Sequence, residues 1–204
     1  MRRVCADSVP SVSRRRAIPR PSPETSKYRH EDRWDYPAGV VLRCTAKALG
    51  LLGIRRPSLV EMPPSDDDWY LNLLWFDRRK CLLLTHAGTV FSIFVPDVRK
   101  TDVAPIGPCV VDAVEAALRA EGLPIDALGD LGSGGVLITK TASRRVLGFM
   151  NDVALHIAYS VDRSGGLRGV DLFALNTQLQ RTLHNHGGRY ATPLDLVGRA
   201  SKAG

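Results

Sequence analysis

The stretch Trp69-Tyr70-Leu71-Asn72-Leu73-Leu74-Trp75-Phe76 constrains the fold more than any other. It is rich in aromatics and apolar on both alternating sets of positions, so a strand here has to be covered on both faces. Two further strands follow on short turns. Asp77-Arg78-Arg79 turns into Lys80 to Thr85, and Ala87-Gly88 turns into Thr89 to Val95, which Pro96 closes. Three successive strands on tight turns predict an antiparallel meander.

The flanking segments alternate strand and helix patterns. Val40 to Cys44 reads as a short strand, and Thr45 as the cap of a brief helix, Ala46 to Leu52, that ends at Gly53. Val110, Val111, Val114, Ala117 and Leu118 lie on one helical stripe that ends at Gly122. Val136 to Lys140 reads as a strand. From Ser143 the longest helix begins, with Val146, Leu147, Met150, Val153, Ala154, Ile157, Ala158 and Val161 on its apolar side, until Gly165-Gly166 breaks it. A last helix is expected from about Asp171 to Gly187, with Leu172, Leu175, Leu179 and Leu183 inward. The remaining segment, through Tyr190, Pro193 and Leu196, packs back before it frays. The pattern predicts an α+β domain over residues 40–196, built on a largely antiparallel sheet of three to five strands with helices packed on it, and a frayed end at 197–204.

Residues 1–39 differ in character. Arg14-Arg15-Arg16 and the prolines at 19, 21 and 23 leave little apolar surface to offset the entropy of ordering, so this leader is expected to be disordered. Three readings of it stay open: a nucleic-acid-binding arm or organelle-targeting peptide, a solvated tail, or a stretch ahead of a true start at Val40 or Val41. The formal net charge is +7, yet nine Lys or Arg against five Asp or Glu fall in residues 1–35. The rest of the chain is therefore only mildly basic, which solubility alone can account for. Cys5, Cys44, Cys81 and Cys109 stand far apart without metal-ligand or paired spacing, so buried free thiols in a reducing cytoplasm are expected. No apolar run is long enough to cross a membrane, and no secretory signal is apparent.

Several polar groups interrupt this plan. Gly132-Ser133-Gly134-Gly135 precedes a strand, whereas a phosphate-cradling loop has to open a helix, so a nucleotide role is disfavoured. Lys140, Ser143, Arg144 and Arg145 surround a strand-to-helix junction, where free N–H groups and cations together suit an anion. A Ser-capped helix with solvated arginines would carry the same residues. Arg78, Arg79 and Lys80 follow Asp77 at a hairpin tip and could grip phosphates, or could simply keep the turn soluble. Asn72 is the lone amide of an apolar strand, and Asn176 interrupts the stripe of the last helix. Each has to find hydrogen-bond partners, either by tethering an element or by lining a site. Asp152 and His156, four residues apart, form the sole candidate acid–base pair, which a solvated surface pair would also explain. His184 and His186 lack a third metal ligand at a fitting spacing, so no metal is expected. No cofactor motif, nucleophile elbow or catalytic triad is present.

Two blocks, Trp69 to Leu83 (WYLNLLWFDRRKCLL) and Thr139 to Asp152 (TKTASRRVLGFMND), resemble a bacterial family of domains of unknown function. Its members open on a strand like Leu42-Arg43-Cys44-Thr45. More distantly the chain is similar to the N-terminal part of plasmid ORF-3-like proteins. The resemblance spans about residues 40–195 and implies an architecture but no reaction. It directs attention to Asn72, Arg78, Arg79, Lys80, Lys140, Ser143, Arg144, Asn151 and Asp152, the polar positions within the two blocks. From the sequence, a non-enzymatic module binding a phosphate-bearing or other anionic partner is expected, with nucleic acid among the candidates. Its surface would join the Asp77–Lys80 turn to the Thr139–Arg145 junction. A small hydrolase or transferase using Asp152 and His156 in a cleft over the sheet is the alternative.

Overall fold

The structure is a computed structural model and describes residues 39–55, 59–131, 135–186 and 188–200. Residues 1–38, most of the leader, and the glycines at 132 and 134 lie outside the described residues. Strand β1 (Val40–Cys44) leads into helix α1 (Ala46–Leu52), which Thr45 caps through its side chain and Gly53 ends in a left-handed conformation. The meander follows as β2 (Trp69–Phe76), β3 (Arg79–His86) and β4 (Ser92–Val95). Helix α2 (Ile106–Ala120), strand β5 (Val136–Lys140) and helix α3 (Arg144–Arg163) come next. Helix α4 (Leu172–Arg181), a small hairpin of β6 (His184–His186) and β7 (Arg189–Ala191), and helix α5 (Pro193–Ala200) complete the chain.

The meander is antiparallel, as its short turns require, with β2 pairing β3 over eight positions and β3 pairing β4. The whole sheet is not largely antiparallel, however. Its order is β4-β3-β2-β1-β5, and β1 runs parallel to both β2 and β5. The α1 excursion returns the chain to pair β2 alongside β1, and after α2 the chain comes back to the far side of β1. Each connection is long enough for a parallel crossover. The sequence patterns each strand but does not say which strand lies beside β1.

Both faces of the sheet are covered, which explains why β2 is apolar on both sets. Leu42, Trp69, Leu71, Leu73, Leu82 and Leu84 face α1, α2 and Val197 of α5. Tyr70, Leu83 and Phe94 face Val146, Met150, Val153, Ile157 and Val161 of α3 and Leu175 and Leu179 of α4. Val197 is fully buried and α5 runs to Ala200, so the ordered chain extends past the boundary expected at residue 196. The last long helix is shorter than its apolar stripe suggested. α4 stops at Arg181, Leu183 is exposed, and the residues that follow pair as the β6–β7 hairpin.

One buried polar group gives the fold a pH dependence. His86 at the end of β3 is 5% exposed, its Nδ1 lies 3.0 Å from Thr89 Oγ1, and its ring meets Trp69 edge to face. Burial pushes its pKa down to about 4, overriding the carboxylates of Asp67 and Asp66 that act the other way. The unfolded chain takes up this proton first, near pH 6.5, so the stability from neutral His86 is complete above that pH. It is lost as pH falls toward 4. A His86→Gln variant is expected to lose about 2–3 kcal/mol less between pH 7 and pH 4 than the parent, read by urea unfolding.

Candidate functional site

The junction residues gather at one place that the topology singles out. From β1 the chain passes into α1 on one face of the sheet, and from the adjacent parallel β5 it passes into α3 on the other. The carboxyl ends of β1 and β5 thus flank a topological switch point, where α/β sheets form their ligand crevices. Ser143 caps α3, its hydroxyl accepting from Val146 N at 3.3 Å, while its own N–H donates to Tyr70 Oη at 3.1 Å. Lys140 and Arg144 are exposed beside it, and among the described residues no carboxylate pairs with Arg144. Asn72 lies near this switch point, its Oδ1 accepting from Thr45 Oγ1 at 3.0 Å. It tethers the N-cap of α1 to β2, the structural one of its two expected roles.

Arg43, which the sequence reading passed over, lies at the centre. It is 1% exposed on β1, and its Nε donates to Asp68 Oδ2 at 2.5 Å. Its remaining N–H groups reach Lys140 O at 3.3 Å, Met62 O at 3.3 Å and Pro63 O at 2.6 Å. Thr139 on β5 donates its hydroxyl to Val60 O at 2.7 Å. Segment 59–68 is therefore fastened over the ends of β1 and β5, while α3 packs on β2 and β3. Two exposed ion pairs hold its outer side. Lys140 pairs with Glu61, whose carboxyl this contact holds below its usual range, and Arg145 lies 3.5 Å from Asp66 while donating to Ala87 O. Gly88 admits the segment, since a Cβ there would stand 2.8 Å from Asp66 O.

The hairpin-tip cations are elsewhere. Asp77 and Arg78 both have positive φ, making the two-residue turn that twisted hairpins favour. Asp77 accepts from Leu167 N at 2.6 Å, Arg79 pairs with Asp97, and Lys80 stacks over Trp75. The junction sits at the Trp69–His86 end of the β2–β3 ladder, by the contacts of Ser143 with Tyr70 and of Arg145 with Ala87. The tip lies beyond Phe76 and Arg79 at the other end. Eight paired positions at 3.3 Å each separate the two groups by roughly 20 Å, so they do not form the continuous surface expected from the sequence.

Asp152 lies on the exposed side of α3, and His156 lies half-buried at the flank of its stripe of Val153 and Ile157. Asp152 is exposed, as is its neighbour Asn151, and no hydrogen bond or ion pair joins Asp152 to His156 among the described residues. The fold does bring His184 to this face, where its ring meets Phe149 edge to face at 4.4 Å. Burial lowers the pKa of His184, Asp152 offsets this in part, and His156 adds to the lowering. Among the described residues, no three acidic, His or Cys side chains are placed to hold a metal ion. An apolar groove of about 300 Å³, lined by Ile93, Val95, Ala113, Ala117 and Phe173, runs along β4 away from these groups. Among the described residues, no helix is long and apolar enough to cross a membrane.

Residues 41–196 match the family described as a domain of unknown function (DUF6933). No curated protein matches the chain.

Proposed function

The chain belongs to the domain-of-unknown-function family DUF6933, and from its own geometry we propose that it is a non-enzymatic module that binds a phosphate-bearing partner at the β1–β5 switch point. One observation carries this reading: Lys140, Arg144 and Arg145 surround the N-terminus of a 20-residue helix at the ends of two adjacent parallel strands whose helices leave on opposite faces. The positive helix end and the cations act in the same direction on an anion. The two exposed ion pairs do not close the site, because pairs of this kind contribute at most about 1 kcal/mol and yield to a competing anion. Arg78, Arg79 and Lys80 have no part in the site, being at the far end of the ladder. The free thiols of Cys44, Cys81 and Cys109 support a reducing, cytoplasmic setting. Burial pushes the Cys44 thiol up to about 12, so it stays protonated and unreactive.

Fluorescence anisotropy of the full chain with labelled single-stranded DNA, at two salt concentrations, tests the proposal. Binding is expected to weaken as salt rises, since phosphate contacts release counterions. Lys140→Ala and Arg144→Ala are each expected to weaken it about 3- to 10-fold, and Arg78→Ala to leave it unchanged. Salt-independent binding, or an equal loss from Arg78→Ala, would count against the site.

A further inference from the structure

The segment fastened over the switch point carries four acidic residues, Glu61, Asp66, Asp67 and Asp68, and three of them meet three cations of the crevice. Asp68 pairs with Arg43, Glu61 with Lys140, and Asp66 with Arg145. These contacts are of two kinds. The Arg43–Asp68 side chains are 1% and 2% exposed, and Asp68 Oδ2 also accepts from Ser65 N at 2.8 Å. With the carbonyls of Met62 and Pro63 also held by Arg43, this inner contact is a permanent anchor. The Lys140–Glu61 and Arg145–Asp66 side chains are all more than half exposed, and such pairs open readily in water.

We propose that segment 59–68 is an autoinhibitory strap, whose Glu61 and Asp66 carboxylates occupy the places that the phosphates of a partner take. This rests on the binding reading above and adds to it a competitor built into the chain. An incoming polyanion displaces the two outer carboxylates from Lys140 and Arg145, while Arg43 and Asp68 keep the base of the strap in place. The site therefore selects ligands that present at least two negative groups together, because a single one replaces only half of what the strap already supplies. Arg144, unpaired among the described residues, offers the first contact before either outer pair opens.

The test uses the full chain and a fluorescein-labelled single-stranded DNA of about 12 nucleotides, a length suited to one small domain. The double variant Glu61→Ala/Asp66→Ala is expected to bind about 3- to 10-fold more tightly than the parent, the gain from two exposed pairs no longer competing. A charge-matched control, Asp112→Ala/Asp126→Ala, removes the same charge from exposed positions outside the crevice and is expected to change affinity less than about 2-fold. Both double variants leave Arg43 and Asp68 intact, and matching thermal midpoints check that they fold. Equal affinity of the parent and the Glu61→Ala/Asp66→Ala variant, or an equal gain in the control, overturns the strap and leaves the binding site standing. Absence of binding in all three proteins removes the binding reading itself, and the strap with it.

Discussion

Alanine in place of Asp68 is expected to destabilise the domain by about 3–5 kcal/mol, the largest loss from any single charge among the described residues. The reason is the environment of its partner. Arg43 sits on β1, an interior strand of the five-stranded sheet, at 1% exposure, and among the described residues the carboxylate of Asp68 is the one negative group it contacts. Removing that carboxylate leaves a guanidinium buried with three backbone carbonyls but no counter-charge. Arg43→Met is expected to cost a similar amount, because it leaves the equally buried Asp68 carboxylate without its counter-charge. In the double variant Arg43→Met/Asp68→Ala most of the Asp68→Ala loss should be recovered. Urea unfolding of the four proteins closes the cycle. Should Asp68→Ala be no less stable than the double variant, the pair is not acting as a buried charge pair and the anchor assigned to the strap fails.

The second large effect concerns the edge of the sheet at β4. Two amides on α4, four residues apart, meet the outward backbone groups of β4 at residues two apart. Asn176 Oδ1 accepts from Phe94 N at 2.8 Å and its Nδ2 donates to Phe94 O at 3.1 Å. Gln180 Oε1 accepts from Ser92 N at 3.3 Å, and its Nε2 donates to Ser92 O. A helical step of four residues rises about 6 Å and a strand step of two about 6.6 Å, so the two side chains stand in for a further strand. Gln180→Ala is expected to cost about 2–4 kcal/mol, since it opens a cavity where a side chain is 1% exposed and leaves two buried backbone groups unpaired. Asn176→Ala, at a half-buried position, should cost about 1–2 kcal/mol. The two together expose an edge that can pair with other chains, so concentration-dependent light scattering should rise in the double variant. Gln180→Leu separates the terms: it refills the volume but not the hydrogen bonds, and a full recovery of stability would show that packing alone had been lost.

Both effects depend on contacts between residues far apart in sequence, and this marks what local patterns could and could not foretell. The alternation of Trp69 to Phe76 is itself a record of two covered faces, so the central position of β2 followed from its letters. The helical stripe of Val146, Met150, Val153, Ile157 and Val161 likewise fixed both the existence and the buried side of α3. Burial along a strand or helix repeats with the local geometry, and a sequence carries that repeat directly. The partner of Arg43, by contrast, is 25 residues away, that of Asn72 is 27 away, and those of Asn176 and Gln180 are 82 and 88 away. Nothing in the spacing of Val40 to Cys44 distinguishes an arginine that snorkels to water from one that binds a distant aspartate. The same limit let the hairpin-tip and junction cations be read as one surface, when the length of a β-ladder lies between them. Local propensity thus determined the elements and their apolar faces. Which strand neighbours β1, and which carboxylate meets which cation, was decided by the packing of those faces, because that step brings side chains together without regard to their distance along the chain.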